Sequence, residues 1–300
     1  MKSKLSTRES IFIAIMLFGM FFGAGNLIFP VHMGQLAGYN FWPAVIGFIL
    51  VGVGVPILGV AAIGITRSSG LLELSSKVSP KYGIIFTCIL YLTIGPFFAI
   101  PRCATVPFSI GVEPLIRKSH TTAALLAFTL LYFALVLYFS LKPGEILKWI
   151  GKVLTPLFLV LLSILLIVSF VRPMSGAISS IQPDKTYMHG AFALGFLEGY
   201  NTMDAIAGLA FGIIIVNEIK RLGVENPGDI AKNTLKSGAI SAAIMAVIYL
   251  LVTLMGTLSR GAFETSENGS IALSQISGHY FGTAGIVLLG AIVTVACLKT

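Results

Sequence analysis

Charge is scarce in this chain: Asp, Glu, Lys and Arg make up 11% of its 300 residues, while 56% are hydrophobic and the mean hydropathy is +0.94. That balance excludes an ordinary soluble domain, whose apolar runs are far shorter. Cysteine is scarce too. Cys88, Cys103 and Cys297 fall in or beside apolar runs without metal-ligand spacing, so they read as reduced packing residues. A cleavable leader is missing: Met1 to Glu9 is a short basic stub, and the apolar run after it is too long and lacks a small-residue cleavage site. No histidine–glutamate metal motif or nucleophile-and-base arrangement sits at mid-membrane depth, and His32, His120, His189 and His279 lie toward span ends and loops. An intramembrane enzyme is therefore not the reading, and no cofactor is expected. The net charge of +8 invites a nucleic-acid partner, but the basic residues sit between apolar runs without a basic stripe or aromatic platform. They are topology signals, and the surrounding partner is membrane lipid.

What is there is a series of eight apolar spans, near 10–36, 41–65, 82–110, 121–141, 149–171, 190–216, 236–258 and 281–300. Each approaches or exceeds the roughly 20 residues a membrane helix needs. The fold class is an all-α polytopic membrane protein, one transmembrane domain over residues 1–300. On one side, Lys2, Lys4, Arg8, Arg67, Lys77, Lys81, Lys142, Lys148, Lys152, Lys220, Arg221, Lys232 and Lys236 make thirteen basic residues; on the other, Arg102, Arg117, Lys118, Arg172, Lys185 and Arg260 make six. The positive-inside rule places the N-terminus in the cytoplasm.

Smaller features fill in the map. Pro96, Pro101 and Pro107 predict kinks or a re-entrant piece near the outer end of span three. Arg102 lies there, and a side chain snorkelling to the interface is preferred to an extracellular gate. Leu71, Leu72, Leu74 and Val78 can share one face of a short interfacial helix. Asp229 is a candidate helix N-cap, and Glu264 to Gly269 reads as a polar outer loop. The last span runs into Ala296-Cys-Leu-Lys-Thr300 with no basic tail, which predicts a piece of a longer chain truncated after the eighth span.

Two spans carry polar interruptions at mid-depth. In the first, Phe18-Gly-Met-Phe-Phe-Gly-Ala-Gly-Asn-Leu-Ile-Phe-Pro30 places Gly23, Gly25, Asn26 and Pro30 where helix propensity is poorest. A break near Gly23 follows. Backbone freed at that depth needs protein or a cavity to satisfy it, so the break marks a binding site unless the glycines serve close helix packing. In the sixth, Gly195-Phe-Leu-Glu-Gly-Tyr-Asn-Thr-Met-Asp204 holds Glu198 and Asp204, the only acidic residues within the spans. Both need partners there. Glu198 is open between bracing the unwound backbone and touching substrate or cation, and Asp204 can cap the second half-helix. Two broken helices of opposite direction point to an inverted-repeat secondary transporter.

These interruptions, Phe21-Phe-Gly-Ala-Gly-Asn-Leu-Ile-Phe-Pro30 and Gly195-Phe-Leu-Glu-Gly-Tyr-Asn-Thr-Met-Asp-Ala205, closely resemble those of the branched-chain amino acid carrier family of bacterial plasma-membrane symporters. That family is similar in turn to the leucine-transporter-like fold of inverted five-helix repeats. The resemblance implies a first repeat over 10–171 and an incomplete second over 190–300. It also implies import of leucine, isoleucine and valine with a cation. The oligomeric state is left open, as is a carrier of the same fold for another amino acid or a nucleobase; a receptor or structural subunit would not need paired breaks.

For such a substrate, N–H groups around Ala24, Gly25 and Asn26 suit the carboxylate. Carbonyls from Glu198 through Gly199 and Tyr200 to Thr202 suit the ammonium group, and Phe21, Phe22 and Phe196 suit the aliphatic wall, with Gly23 at the break. The resemblance further implies sodium ligands: the carbonyls of Phe18 and Phe21 with a hydroxyl from span eight, Thr300, and a second site from the Met20 carbonyl and Asn26. Lys299 departs from that pattern. Its ammonium either replaces a cation or carries a proton, or points away and leaves Thr300 to sodium. Glu198 and Lys299 are thus the coupling candidates, with sodium preferred to a proton.

Overall fold

A computed structural model describes residues 2–66, 68–141 and 150–300. The topology signals at Arg67, Lys142 and Lys148 and the first residue of the fifth expected span lie outside the described residues. Ser6 starts the first helix through a capping box, its hydroxyl accepting from the Glu9 N–H while the Glu9 side chain accepts from the Ser6 N–H. Helix α1 (Thr7–Phe21) stops where Phe22 leaves helical angles, and α2 (Gly25–Ala37) resumes three residues later. The expected break at Gly23 is there. Pro30, however, sits inside α2 rather than unwinding it.

Gly38, with φ at +50°, ends α2 and leads into α3 (Phe41–Ile49) and α4 (Val55–Thr66), joined through a wider turn over Leu50–Gly54. The short helix α5 (Leu71–Ser76) follows. Its expected apolar face is not the observed one: Leu71 and Ser75 are buried, while Leu72 and Val78 are exposed. Span three divides into α6 (Pro80–Leu92) and α7 (Ala99–Gly111) at Gly95, whose backbone leaves helical angles just before Pro96. The break lies deeper than expected, since Pro101 and Pro107 are absorbed into α7, the first in its opening turn where a missing N–H costs little. Helices α8 (Thr121–Ser140) and α9 (Thr155–Val171) complete the first half.

After the turn of helix α10 (Lys185–Met188), span six is formed by α11 (Ala191–Asn201) and α12 (Asp204–Arg221), bent by 44°. Met203 makes the bend at φ +65°, the only non-glycine with positive φ among the described residues. The oxygen at the head of α12 comes from Thr202, whose Oγ1 accepts from the Asp204 N–H at 3.3 Å, so Asp204 is the capped residue and not the cap. Helix α13 (Pro227–Ser259) is capped by Asn226 rather than by the expected Asp229. Helix α14 (Gly269–Lys299) starts well before the expected 281, capped by Asn268 and kinked at Gly282. Its first half is no loop: Ala272, Leu273 and Ile276 are buried, and a Cβ on Gly269 would lie 1.9 Å from the Ile28 carbonyl oxygen of α2.

Among the described residues, six helical runs are long and apolar enough to cross a membrane, and the bent pair in span six makes a seventh. One run, Gly25–Thr66, joins the outer half of span one to span two through the turn at Gly38. Its two parts take different partners. Span one runs alongside α13 in the same direction, with Leu5 bonded to Asn233, Asn26 to Tyr249 and Gln35 to Ser259. Span two runs alongside span six in the same direction, with Ala44 against Gly195 and Pro56 against Gly208. Both pairs meet through glycine. A Cβ on Gly256 would stand 2.1 Å from the Val31 carbonyl oxygen, and one on Gly195 would stand 2.0 Å from that of Ala44. Small residues at such crossings let backbones touch where lipid supplies no hydrophobic drive. Helices α7 and α14 cross at Gly111 and Gly290, where a Cβ on either would stand 2.5 or 2.6 Å from the Cα of the other.

Candidate functional site

The breaks in spans one, three and six open onto one cavity of about 320 Å³. This is within the range of small-molecule sites, about 300–1,000 Å³. Its wall is mostly apolar, with Met20, Phe21, Ile94, Ala99, Ala207 and Phe211 contributing. Polar groups enter at three places: Gly23 to Asn26 from the first break, Arg102 from α7, and Thr202 and Asp204 from the sixth span.

Asn26 organises the first of these. Its Oδ1 accepts from the Gly23 N–H at 2.8 Å, closing the break on itself, and its Nδ2 donates to Asp204 Oδ2 and to the Tyr249 hydroxyl. Tyr249, fully buried in α13, donates to the same Asp204 Oδ2 at 3.0 Å. One carboxylate oxygen thus receives two donors from two other spans. Such charge-assisted bonds are stronger than neutral ones, and they hold Asp204 at the head of α12, where the helix dipole favours an anion. Gly25 and Asn26 open α2, and N–H groups at that position have no acceptor within the helix.

Lys299 occupies a separate chamber behind the break. It is 1% exposed, donates to the Gly19 carbonyl at 2.9 Å and to the Phe22 carbonyl, and lies over the Phe158 ring at 4.8 Å from its centroid, with Phe18 and Phe22 beside it. The carbonyls at a helix C-terminus carry partial negative charge, and aromatic faces add to it. The positive charge held here is that of the Lys299 side chain.

Of the residues expected at the substrate, Gly23, Ala24, Gly25, Asn26 and Thr202 line the cavity. Phe22, Phe196, Glu198, Gly199 and Tyr200 do not. Phe22 stacks on Tyr249 and Phe18 in the chamber of Lys299. Glu198 accepts from Asn201 Nδ2 at 3.0 Å on a partly exposed face, and Phe196 and Tyr200 meet edge to face on the same helix, ring centres 5.5 Å apart. The reason is helical phase: Gly195 and Gly199 press against span two, which turns their neighbours elsewhere. The Gly199 carbonyl accepts from Thr202 Oγ1 and the Tyr200 carbonyl from the Met203 N–H, so neither is left free by an unwound strand.

Among the expected sodium ligands, Met20, Phe21, Asn26 and Thr300 line the cavity, but their acceptors are engaged in part. The Phe18 and Phe21 carbonyls accept from the Phe22 and Gly23 N–H groups, Asn26 Oδ1 accepts from Gly23, and Thr300 Oγ1 donates to the Ala296 carbonyl. The Lys299 ammonium is directed at the break rather than away from it. Arg102 does not snorkel: its Nη1 donates to the Asn201 carbonyl at 2.8 Å and its guanidinium lies 5.2 Å from the centre of the Phe29 ring. Arg102 and Asp204 line the cavity although sequence reasoning did not assign them to it, and Tyr249 reaches it only through its bonds to Asp204 and Asn26; for the two charged ones the signal was their position inside an apolar span.

Residues 6–300 match the family described as Branched-chain amino acid transport protein. The chain is similar over its whole length to the "Branched-chain amino acid permease BrnQ" of Lactobacillus delbrueckii subsp. lactis, 49% identical and covering 67% of that protein. It is similar likewise to the permeases BrnQ and BraB of Bacillus subtilis, 45% and 40% identical and covering 68% and 66% of them. The chain spans about two thirds of the length of these relatives. It belongs to the branched-chain amino acid transport protein family.

Proposed function

We propose that the protein is a symporter of the bacterial plasma membrane, N-terminus in the cytoplasm, that imports leucine, isoleucine and valine with a cation. The observation that carries this reading is the cavity itself: an apolar space walled by three broken helices, lined by the residues that open α2 and by Asp204. An aliphatic α-amino acid has the matching parts, a branched apolar tail, a carboxylate and an ammonium group. The permease names of the relatives support the same substrate class. An inverted pair of repeats, 10–171 and the start of a second over 190–300, is supported by the breaks in spans one and six and by the parallel packing of one on seven and two on six.

Sodium is the first coupling ion to test, because carbonyls and hydroxyls of hard-cation type converge at the first break. A specific observation favours a second reading, proton coupling through Lys299, whose ammonium already sits on the Gly19 and Phe22 carbonyls. The experiment is uptake of labelled isoleucine by the intact protein in proteoliposomes under an inward sodium or an inward proton gradient, with leucine and valine as competitors. Sodium-driven, competed uptake supports the first reading and proton-driven uptake the second. No uptake from folded protein under either gradient overturns the transport assignment.

A further inference from the structure

The same cavity contains two unpaired opposite charges. Among the described residues, the ion pairs are Lys2 with Glu9 and Arg221 with Glu218; neither Arg102 nor Asp204 has an oppositely charged partner within reach of a salt bridge. Asp204 is compensated by Asn26 and Tyr249. Arg102 is not compensated in that way. It donates to one carbonyl, that of Asn201, and to the Met203 sulfur at 3.6 Å, which is a weak acceptor. A guanidinium offers five N–H donors in a planar fork that matches a carboxylate, so donors remain. A half-buried cation in an apolar span is costly without an anion, and the cost is a reason to look for one.

The guanidinium also stands where an amino acid carboxylate would be received. A Cβ on Gly25 would lie 3.0 Å from Arg102 Nη1, so only the missing side chain lets the fork approach the first turn of α2. The N–H groups of Gly25 and Asn26 open that turn. The Phe29 ring, 5.2 Å from the guanidinium carbon, is within cation–π reach of it. A carboxylate placed between the guanidinium and that turn takes donors from both the fork and the backbone, and Asp204, held by the Asn26 side chain, lines the same cavity.

We propose that Arg102 recognises the carboxylate of the amino acid carried in this cavity, and that its bond to the Asn201 carbonyl makes the same side chain a tie between spans three and six. This rests on the transport reading above and assigns one subsite within it. A substrate that draws the fork toward its carboxylate changes the tie at the moment it binds, which couples occupancy of the cavity to the bend at Met203.

The test compares leucine with leucinol, which keeps the isobutyl tail and the ammonium group and lacks the carboxylate, by direct binding to the intact purified protein. For Arg102→Gln, the expected result is a loss of leucine affinity of about 30- to 100-fold, the size of a charge-assisted bidentate contact, with leucinol changed by less than about threefold. Retained leucinol binding also shows that the variant is folded. Arg102→Lys keeps the charge without the fork and is expected between the two; it carries the test by itself if the glutamine variant does not fold. Equal loss of leucine and leucinol overturns the carboxylate assignment and leaves a structural tie. Unchanged leucine affinity overturns it as well. Wild-type protein that binds none of leucine, isoleucine and valine overturns the transport reading and this inference together, an outcome distinct from the other two.

Discussion

The Lys299 ammonium donates to the Gly19 carbonyl at 2.9 Å, fastening the end of α14 to the last turn of α1. That bond and its neighbour at Phe22 occupy the carbonyls that a broken helix would otherwise present to a free cation.

Lys299→Met should therefore be destabilising in a way that depends on ions. Two buried carbonyls lose their donor, at about 1–3 kcal/mol for each left unsatisfied. Melting of the purified variant should fall and uptake should be lost, and sodium should raise its melting temperature more than that of the wild type. Equal sodium effects on both proteins would mean that these carbonyls do not make a cation site.

Asp204 separates charge from bonding. Asp204→Asn keeps the shape, removes the negative charge and is expected to lower isoleucine uptake at least tenfold, about 1.4 kcal/mol of binding. Tyr249→Phe removes one donor to the same carboxylate, a change of about 0.5–1.5 kcal/mol in stability, and should leave uptake measurable. If the tyrosine change is the more harmful of the two in uptake assays, the network and not the charge is what the cavity needs.

Glu198→Gln is expected to be nearly silent. Its bond from Asn201 can be kept by a glutamine oxygen, and partly exposed substitutions usually stay within about 0.5 kcal/mol. A changed cation dependence in transport assays would bring Glu198 back as a coupling residue.

Glycine contacts give the sharpest stability contrast. Gly256→Ala forces a Cβ to 2.1 Å from the Val31 oxygen, and overpacking of this kind costs about 1–3 kcal/mol or more. Gly54→Ala meets nothing within 4 Å among the described residues and should be neutral or stabilising by a few tenths of a kcal/mol. Size-exclusion profiles of the two variants measure the difference; a well-folded Gly256→Ala would mean that α2 and α13 can move apart.

The breaks were legible because their causes are local. Gly23 and Gly25 beside Asn26 and the run into Met203 each disfavour helix within a few residues, whereas in span three only Pro96 of the three prolines lies at the break, and Pro101 and Pro107 are absorbed into α7. The destinations of Arg102 and Asn26 were not legible, because their partners Asn201 and Asp204 are 99 and 178 residues away. The misplacement of Glu198 lies between these cases. Gly195 and Gly199, four apart, mark the packed face of α11, and a neighbour in sequence lies about 100° round the helix. Reading the glycines as packing instead of unwinding would have turned Glu198 away from the cavity. The helix before Gly282 was missed for another reason: Ser, Gly and His punctuate residues 269–281, and tertiary contacts, that with Ile28 among them, make that stretch a buried surface.

That contact has a mechanical consequence. The first half of α14 bears on α2 through bare backbone at Gly269 and Ile28, and Gln35 and His32 hold the adjoining Ser266 by its N–H and carbonyl. Parts joined this way cannot slide past each other. A tilt of α2 that widens the cavity must therefore carry residues 266–281 with it, as a crank carries its arm, and because Ser277 Oγ donates to the Gly285 carbonyl at 2.7 Å across the kink at Gly282, the load passes on into the half of α14 that ends at Lys299.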